Sequence, residues 1–124
     1  MGKVSQATFK EANRCNLAYE PDTYLIFKWV EKKKKVYFSG TRRGDAMEIH
    51  IASINGRMRL EKAVNEFCEA VFKRYDWCQR ITGLVLPEKI VQLALRTGFK
   101  VIDYFDATYK GNKVTFTFIQ RSRI

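Results

Sequence analysis

Hydrophobic positions change their period twice along this chain, and each change marks a change of element. Residues 6–17 carry Phe9, Ala12 and Leu17 at loosely helical spacing, a modest helix that Pro21-Asp22 closes by removing a donor and favouring a turn. Residues 23–30 (Tyr, Leu, Ile, Phe, Lys, Trp, Val after Thr23) and 36–39 (Val-Tyr-Phe-Ser) have strand composition and face one another across 31–35, which predicts a hairpin with the lysine run 32–35 as its solvated turn. A turn at 42–45 then leads into 46–52, where Met47, Ile49 and Ile51 alternate with Glu48 and His50. Period two places Glu48 and His50 together on one face of a strand.

After Ile54-Asn55-Gly56 the period becomes 3.6. Leu60, Val64, Phe67 and Val71 form one stripe, widened by Ala63, Cys68 and Phe72, so residues 57–75 predict an amphipathic helix of about five turns with Asn55 as N-cap. Residues 81–86 are a short apolar run of the kind buried on both faces of a sheet. Pro87 opens a second helix over 87–97, Glu88 suits its positive end, and Gly98 stops it. Residues 99–109 and 114–119 alternate around 110–113 and predict a closing antiparallel hairpin. The expected fold class is α/β (mixed α+β): a central mixed sheet with helices on its faces, and a parallel pair within 46–86. Leu60, Val64, Phe67, Val71, Leu84 and Leu93 are the expected core. With no Pro/Gly/Ser-rich linker and no repeat, residues 1–124 are expected to form a single domain.

Composition narrows the function classes. A chain of 124 residues that is 46% hydrophobic and 14% aromatic has the means to build one core. Its 23 Lys and Arg against 13 Asp and Glu leave a formal charge of +10, which attracts polyanions such as nucleic acid or phosphate-rich cofactors. Cys15, Cys68 and Cys78 are odd in number and lack metal-ligand spacing, and His50 is the only histidine, so neither a disulfide framework nor a zinc site is expected. No signal sequence, myristoylation motif or membrane-length apolar run is visible; the expectation is a reduced, soluble, cytoplasmic protein with no membrane partner.

The block from Ile81-Thr82-Gly83-Leu84-Val85-Leu86-Pro87 to Leu93-Ala94-Leu95-Arg96-Thr97-Gly98-Phe99 resembles the fifth strand and fourth helix of the GCN5-related N-acetyltransferase (GNAT) family, whose helix ends in a Gly-Phe pair. With it, residues 46–52 fall where the family's fourth strand lies and 57–75 where its third helix lies, so the resemblance spans about 23–119. It implies a fold that binds acetyl-CoA between splayed fourth and fifth strands, with the pyrophosphate on backbone donors at the helix start, and transfer of the acetyl group to an amine-bearing acceptor. Unpaired N–H groups and the positive end of the dipole suit any helix N-terminus to that task. In this chain the resemblance assigns cofactor contact to Ile51, Asn55, Gly56, Arg57 and Arg59. The loop departs from the family pattern in having one glycine, Gly56, where the family has two small residues; the arginine forks of Arg57 and Arg59 offer direct phosphate contact instead. Where many members place a tyrosine acid, four residues before the Gly of the Gly-Phe pair, this chain has Ala94; Tyr104 and Tyr109 are the remaining tail phenols. The family often draws its base from the fourth strand, where Glu48 and His50 match in place and face, and a carboxylate or imidazole can take a proton from the attacking amine.

Two other classes compete with the acyltransferase. One is a catalytically degenerate member kept for binding, such as an inhibitor or a virion component; short chains with altered loop motifs occur among phage-encoded proteins, and this compact, lysine-rich chain fits that origin. The other is a nucleic-acid binder, built on the basic clusters 32–35, 42–43, 73–74 and 121–123 with Tyr24, Phe27, Trp29 and Tyr37 as stacking platforms.

Overall fold

The computed structural model describes residues 2–15, 17–53 and 60–123. Among the described residues, seven strands, β1 (Lys3–Gln6), β2 (Leu25–Glu31), β3 (Lys34–Arg43), β4 (Ala46–Ser53), β5 (Arg80–Val85), β6 (Lys100–Tyr109) and β7 (Asn112–Ser122), make one sheet of order β1-β2-β3-β4-β5-β7-β6. The same residues form three helices: α1 (Phe9–Arg14), α2 (Leu60–Arg74) and α3 (Glu88–Arg96). Every strand pair is antiparallel except β4 with β5. The mixed sheet, the parallel pair and the closing hairpin are those expected from the sequence.

Strand alternation sorts the sheet into two unlike faces. Phe27, Phe38 and Ile51 stand side by side on one face, and α2 lays Phe67 on them: the Phe67 ring stacks on Phe38 at 4.0 Å and meets Phe27 edge-on at 5.4 Å. Val64, Phe67, Cys68, Val71 and Leu93 are buried in this core. On the opposite face α1 covers only the β1–β4 end, where Ala12 and Leu17 pack on Ile26 and Tyr37.

This asymmetry corrects two of the expected core positions. Leu84 is 47% exposed, because it points to the face away from α2 and α3 at the end that α1 does not reach. Leu60 is only partly buried, at the first turn of α2. Two element boundaries also shift. Helix α1 is shorter than its pattern, and the lysine run divides: Lys32, at φ 57°, and Lys33 make the turn, while Lys34 and Lys35 belong to β3.

Strand β1 has no counterpart in the sequence pattern, since Lys-Val-Ser-Gln carries one apolar residue. It adds antiparallel to the edge of β2, and its start is held by Glu66 of α2, which accepts from the Gly2 N–H and from Trp29 Nε1. A Cβ on Gly2 would lie 2.1 Å from Trp29 Nε1, so only glycine fits there. Downstream, Gly98 takes φ 86° behind α3 and Phe99 turns back into the core, as the Gly-Phe stop requires.

Helix α1 is short and depends on its cap. Thr8 and Glu11 form a reciprocal capping box, and the Glu11 carboxylate also accepts from Tyr37 Oη at 3.0 Å and Lys28 Nζ at 3.4 Å. Burial pushes the Glu11 carboxyl upward, but the Thr8 N–H, Tyr37 and Lys28 together hold it below the ordinary value of 4.5. A depressed carboxyl contributes stability that is complete above its unfolded value and disappears as pH falls through the folded one. Thr8→Ala is expected to cost about 1 kcal/mol in urea melts at neutral pH. Glu11→Gln is expected to lose stability there and to flatten the acid limb of the wild-type stability curve below about pH 4.5.

Candidate functional site

The parallel pair is where the sheet opens. Strands β4 and β5 pair over three rungs, Ala46↔Arg80, Met47↔Ile81 and Glu48↔Thr82, and then part. Among the described residues, β4 beyond Glu48 continues to Ser53 beside β3 alone, and β5 beyond Thr82 continues to Val85 beside β7 alone. With respect to those residues, the inner edges of both strands are open to a third, extended chain of amides. Gly83 sits in the mouth of this gap, where an added Cβ would come within 3.9 Å of the Ile49 carbonyl and 3.5 Å of Ile119. Crevices outside the carboxyl ends of parallel strands are the usual ligand positions in such sheets. Because β4 and β5 are parallel, α2 must run back antiparallel to them, which puts its N-terminal end at the carboxyl end of β4, beside the gap.

Glu48 and His50 flank the point of divergence. Glu48 occupies the last rung and His50 is the next residue on the same face, each side chain about one-third exposed. Glu48 Oε1 lies 4.0 Å from His50 Nε2, and Glu48 Oε2 lies 3.5 Å from Arg43 Nε. The imidazole plane is set by Tyr24, stacked on it at 5.9 Å and 14°. Beside the pair opens a cleft of about 440 Å³ lined by Glu20, Thr23, Tyr24, Thr41, Arg42 and Arg43. Its wall is tied to the sheet by Thr41 Oγ1, which donates to the Thr23 carbonyl at 3.1 Å, and by Ser39 Oγ, which donates to the Ala18 carbonyl.

The alternation in 46–52 thus brings Glu48 and His50 together, while Ile51 points the other way, into the α2 core opposite Phe38. Asn55, Gly56, Arg57 and Arg59 lie outside the described residues. Ala94 is buried in α3. Tyr104 and Tyr109 are exposed on the closing hairpin. Tyr24 and Arg43 join the site in roles the sequence did not assign: the pattern puts Tyr24 in the strand 23–30 and 42–43 in a basic cluster, whereas Tyr24 lies just before β2 and stacks on His50, and Arg43 ends β3 beside Glu48.

Burial disfavours the thiolate at all three cysteines. Burial pushes the Cys68 thiol up to about 12 despite the nearby Arg121, and burial also raises Cys15 and Cys78. Nor does the stacking surface exist as expected, because Phe27, Trp29 and Tyr37 are buried. Several arginines are committed internally: Arg121 to Asn65 and the Thr97 carbonyl, Arg123 to the Cys78 and Tyr75 carbonyls, Arg42 over the Trp77 ring. Among the described residues, no helix is long and apolar enough to cross a membrane.

No protein-family model matches this sequence, and no curated protein matches it either. The fold, by contrast, has many solved counterparts. It is similar to a variant of the spermidine N-acetyltransferase SpeG from Vibrio cholerae, with TM-score 0.81 and 11% identity over 98% of this chain and 94% of that one. It is similar to an acetyltransferase of Bacillus subtilis in complex with CoA, with TM-score 0.72 and 11% identity over 99% and 98%. A third counterpart is a GNAT superfamily phosphinothricin acetyltransferase from Sinorhizobium meliloti in complex with AcCoA, with TM-score 0.62 and 14% identity over 80% and 60%. The fold of this protein is the GNAT fold.

Proposed function

We propose that this protein is a GNAT-type acyltransferase that moves an acetyl group from acetyl-CoA to an amine. The observation that carries the reading is the parting of β4 and β5 after three rungs, with Glu48 on the last rung and His50 just past it. The gap suits the cofactor: its pantetheine arm is an extended diamide, and two strand edges without mutual partners offer it donors and acceptors. The neighbouring N-terminal end of α2 suits the pyrophosphate, with Gly56, Arg57 and Arg59 as the contacts the sequence supplies. Bound there, the cofactor supplies the acyl group as a thioester.

The chain's own residues divide the remaining work. The cleft beside Tyr24 and Arg43 receives the acceptor. Glu48, steadied by Arg43, accepts the proton that the amine must lose to become a nucleophile, directly or through His50. Tyr24 holds the imidazole within the carboxylate's reach. Ala94 carries no acid, and departure of the thiolate is left to solvent. That last feature also favours the second reading, a GNAT fold kept for binding without turnover.

A thermal-shift titration at moderate salt tests the reading. Acetyl-CoA at about a hundred times its dissociation constant stabilises by roughly 2.7 kcal/mol, several degrees in a domain of this size. Duplex DNA at equal phosphate concentration is expected to give a shift that salt abolishes. Arg57→Ala with Arg59→Ala is expected to reduce the acetyl-CoA shift. No shift at millimolar acetyl-CoA would end the cofactor reading.

A further inference from the structure

The face of the sheet that α1 leaves uncovered carries a stripe of large apolar side chains on β5, β6 and β7. The strand registers set Leu84 beside Phe118, and Phe105 beside Phe116, with Tyr109 continuing the same face. Phe105 meets Phe118 edge-on at 6.3 Å and Tyr109 meets Phe116 at 6.1 Å. Leu84, Phe105 and Tyr109 are nevertheless 47%, 48% and 46% exposed, because no described element lies above them. The outer part of this hairpin has no support from the rest of the sheet: β5 ends at Val85 opposite Thr117, so β7 before Thr117 pairs with β6 alone. A two-stranded ribbon with one apolar face is marginal in water by itself.

We infer that this stripe is the interface of a twofold dimer between two copies of this chain. The charge pattern selects that occupant. The stripe has an acid at one end, Asp103, opposite Phe118, and a base at the other, Lys110, whose Nζ lies 5.4 Å from the Tyr109 ring. About seven strand residues, roughly 23 Å, separate them. When two such stripes pack face to face about a twofold axis and run antiparallel, each Asp103 meets the Lys110 of the other copy, and the aromatic rings meet at the centre. That is the self-complementarity an isologous interface demands. The hairpin is also exempt from the repulsion expected of a chain at +10. Between residues 100 and 118 stand three lysines (Lys100, Lys110, Lys113) and two aspartates (Asp103, Asp106), a local charge of 3 − 2 = +1. Edge-to-edge pairing of two β6 strands centred on Phe105 would instead oppose Lys100 to Lys110, a like-charge contact that disfavours it.

Sedimentation velocity across a dilution series tests the dimer, with circular dichroism melts confirming that each variant folds. The wild type is expected to form a closed dimer that dissociates on dilution. Phe105→Asp places a charge at the centre and is expected to weaken association by at least about a hundredfold, since an unpaired buried charge is strongly disfavoured. Asp103→Lys and Lys110→Asp, both at exposed positions, are each expected to weaken it about tenfold, and the double variant Asp103→Lys with Lys110→Asp to recover most of the loss. Because the charge variants leave the aromatic stripe intact, they test the inference even if Phe105→Asp fails to fold. A wild type that stays monomeric at every concentration, a dimer indifferent to these changes, open-ended association, or a double variant that does not recover would each overturn it.

Discussion

Replacing Phe67 with Ala is expected to lower the stability of the protein by about 3–5 kcal/mol, or on the order of 10–15 °C in melting temperature for a domain of this length. The reason is position. Phe67 is fully buried at the centre of α2, where its ring lies flat on Phe38 and edge-on to Phe27, so it joins the helix to two strands of the sheet at once. Truncation removes both ring contacts and leaves a cavity whose walls are β-strands, which relax less readily than a helix can slide. Phe67→Leu keeps most of the volume and is expected to cost less than half as much. Leu84→Ala, measured in dilute solution, supplies the contrast. By apolar pattern Leu84 ranks with Phe67, yet its half-exposed side chain predicts a loss below about 1 kcal/mol. Equal losses at the two positions would mean that the helices do not lie on the face described. Urea melts of the three variants, compared at equal m-value, decide this.

Leu84 also shows where sequence patterns stop informing. A run such as Ile-Thr-Gly-Leu-Val-Leu reports that a strand sits within a sheet but not which layers cover its faces; that depends on α1 being too short to reach β5, a tertiary fact. The parting of β4 and β5 is of the same kind. Both strands keep strand composition through the gap, and only the missing rungs reveal it. Strand β1 exists because β2 offers an edge and Glu66 anchors Gly2 and Trp29, so its own residues carry almost no signal. What was legible is what local chemistry dictates: the 3.6-residue stripe that buries Val64, Phe67 and Val71, the Gly98 stop, and the period-two placement of Glu48 beside His50. The place of Tyr24 beside His50 was not legible, since its strand-like neighbours point to β2 whereas the path of residues 17–24 over β3 brings it to the imidazole. The covered and uncovered faces then account for both halves of the molecule, with the cleft beneath the loop at one end and the bare aromatic stripe at the other.

The double substitution Glu48→Gln with His50→Phe is expected to lower acetyl transfer by at least about a hundredfold at neutral pH, within the 10²–10⁴ that a positioned base contributes. Both changes preserve shape and strand register, and neither side chain enters the α2 core, so the acetyl-CoA thermal shift is expected to survive intact. The single variants are expected to fall short of additivity. With Glu48 Oε1 and His50 Nε2 4.0 Å apart, either group can relay a proton to solvent in the other's absence, and effects of groups acting as a unit do not sum. Release of the free thiol of coenzyme A, followed with polyamines and with peptide amines as acceptors, is a readout common to every amine substrate. A double variant with undiminished turnover would remove both residues from proton transfer. Turnover absent from the wild type itself, with the acetyl-CoA shift present, would instead establish a GNAT fold that holds its ligand without reacting it, the outcome to which the buried Ala94 already leans.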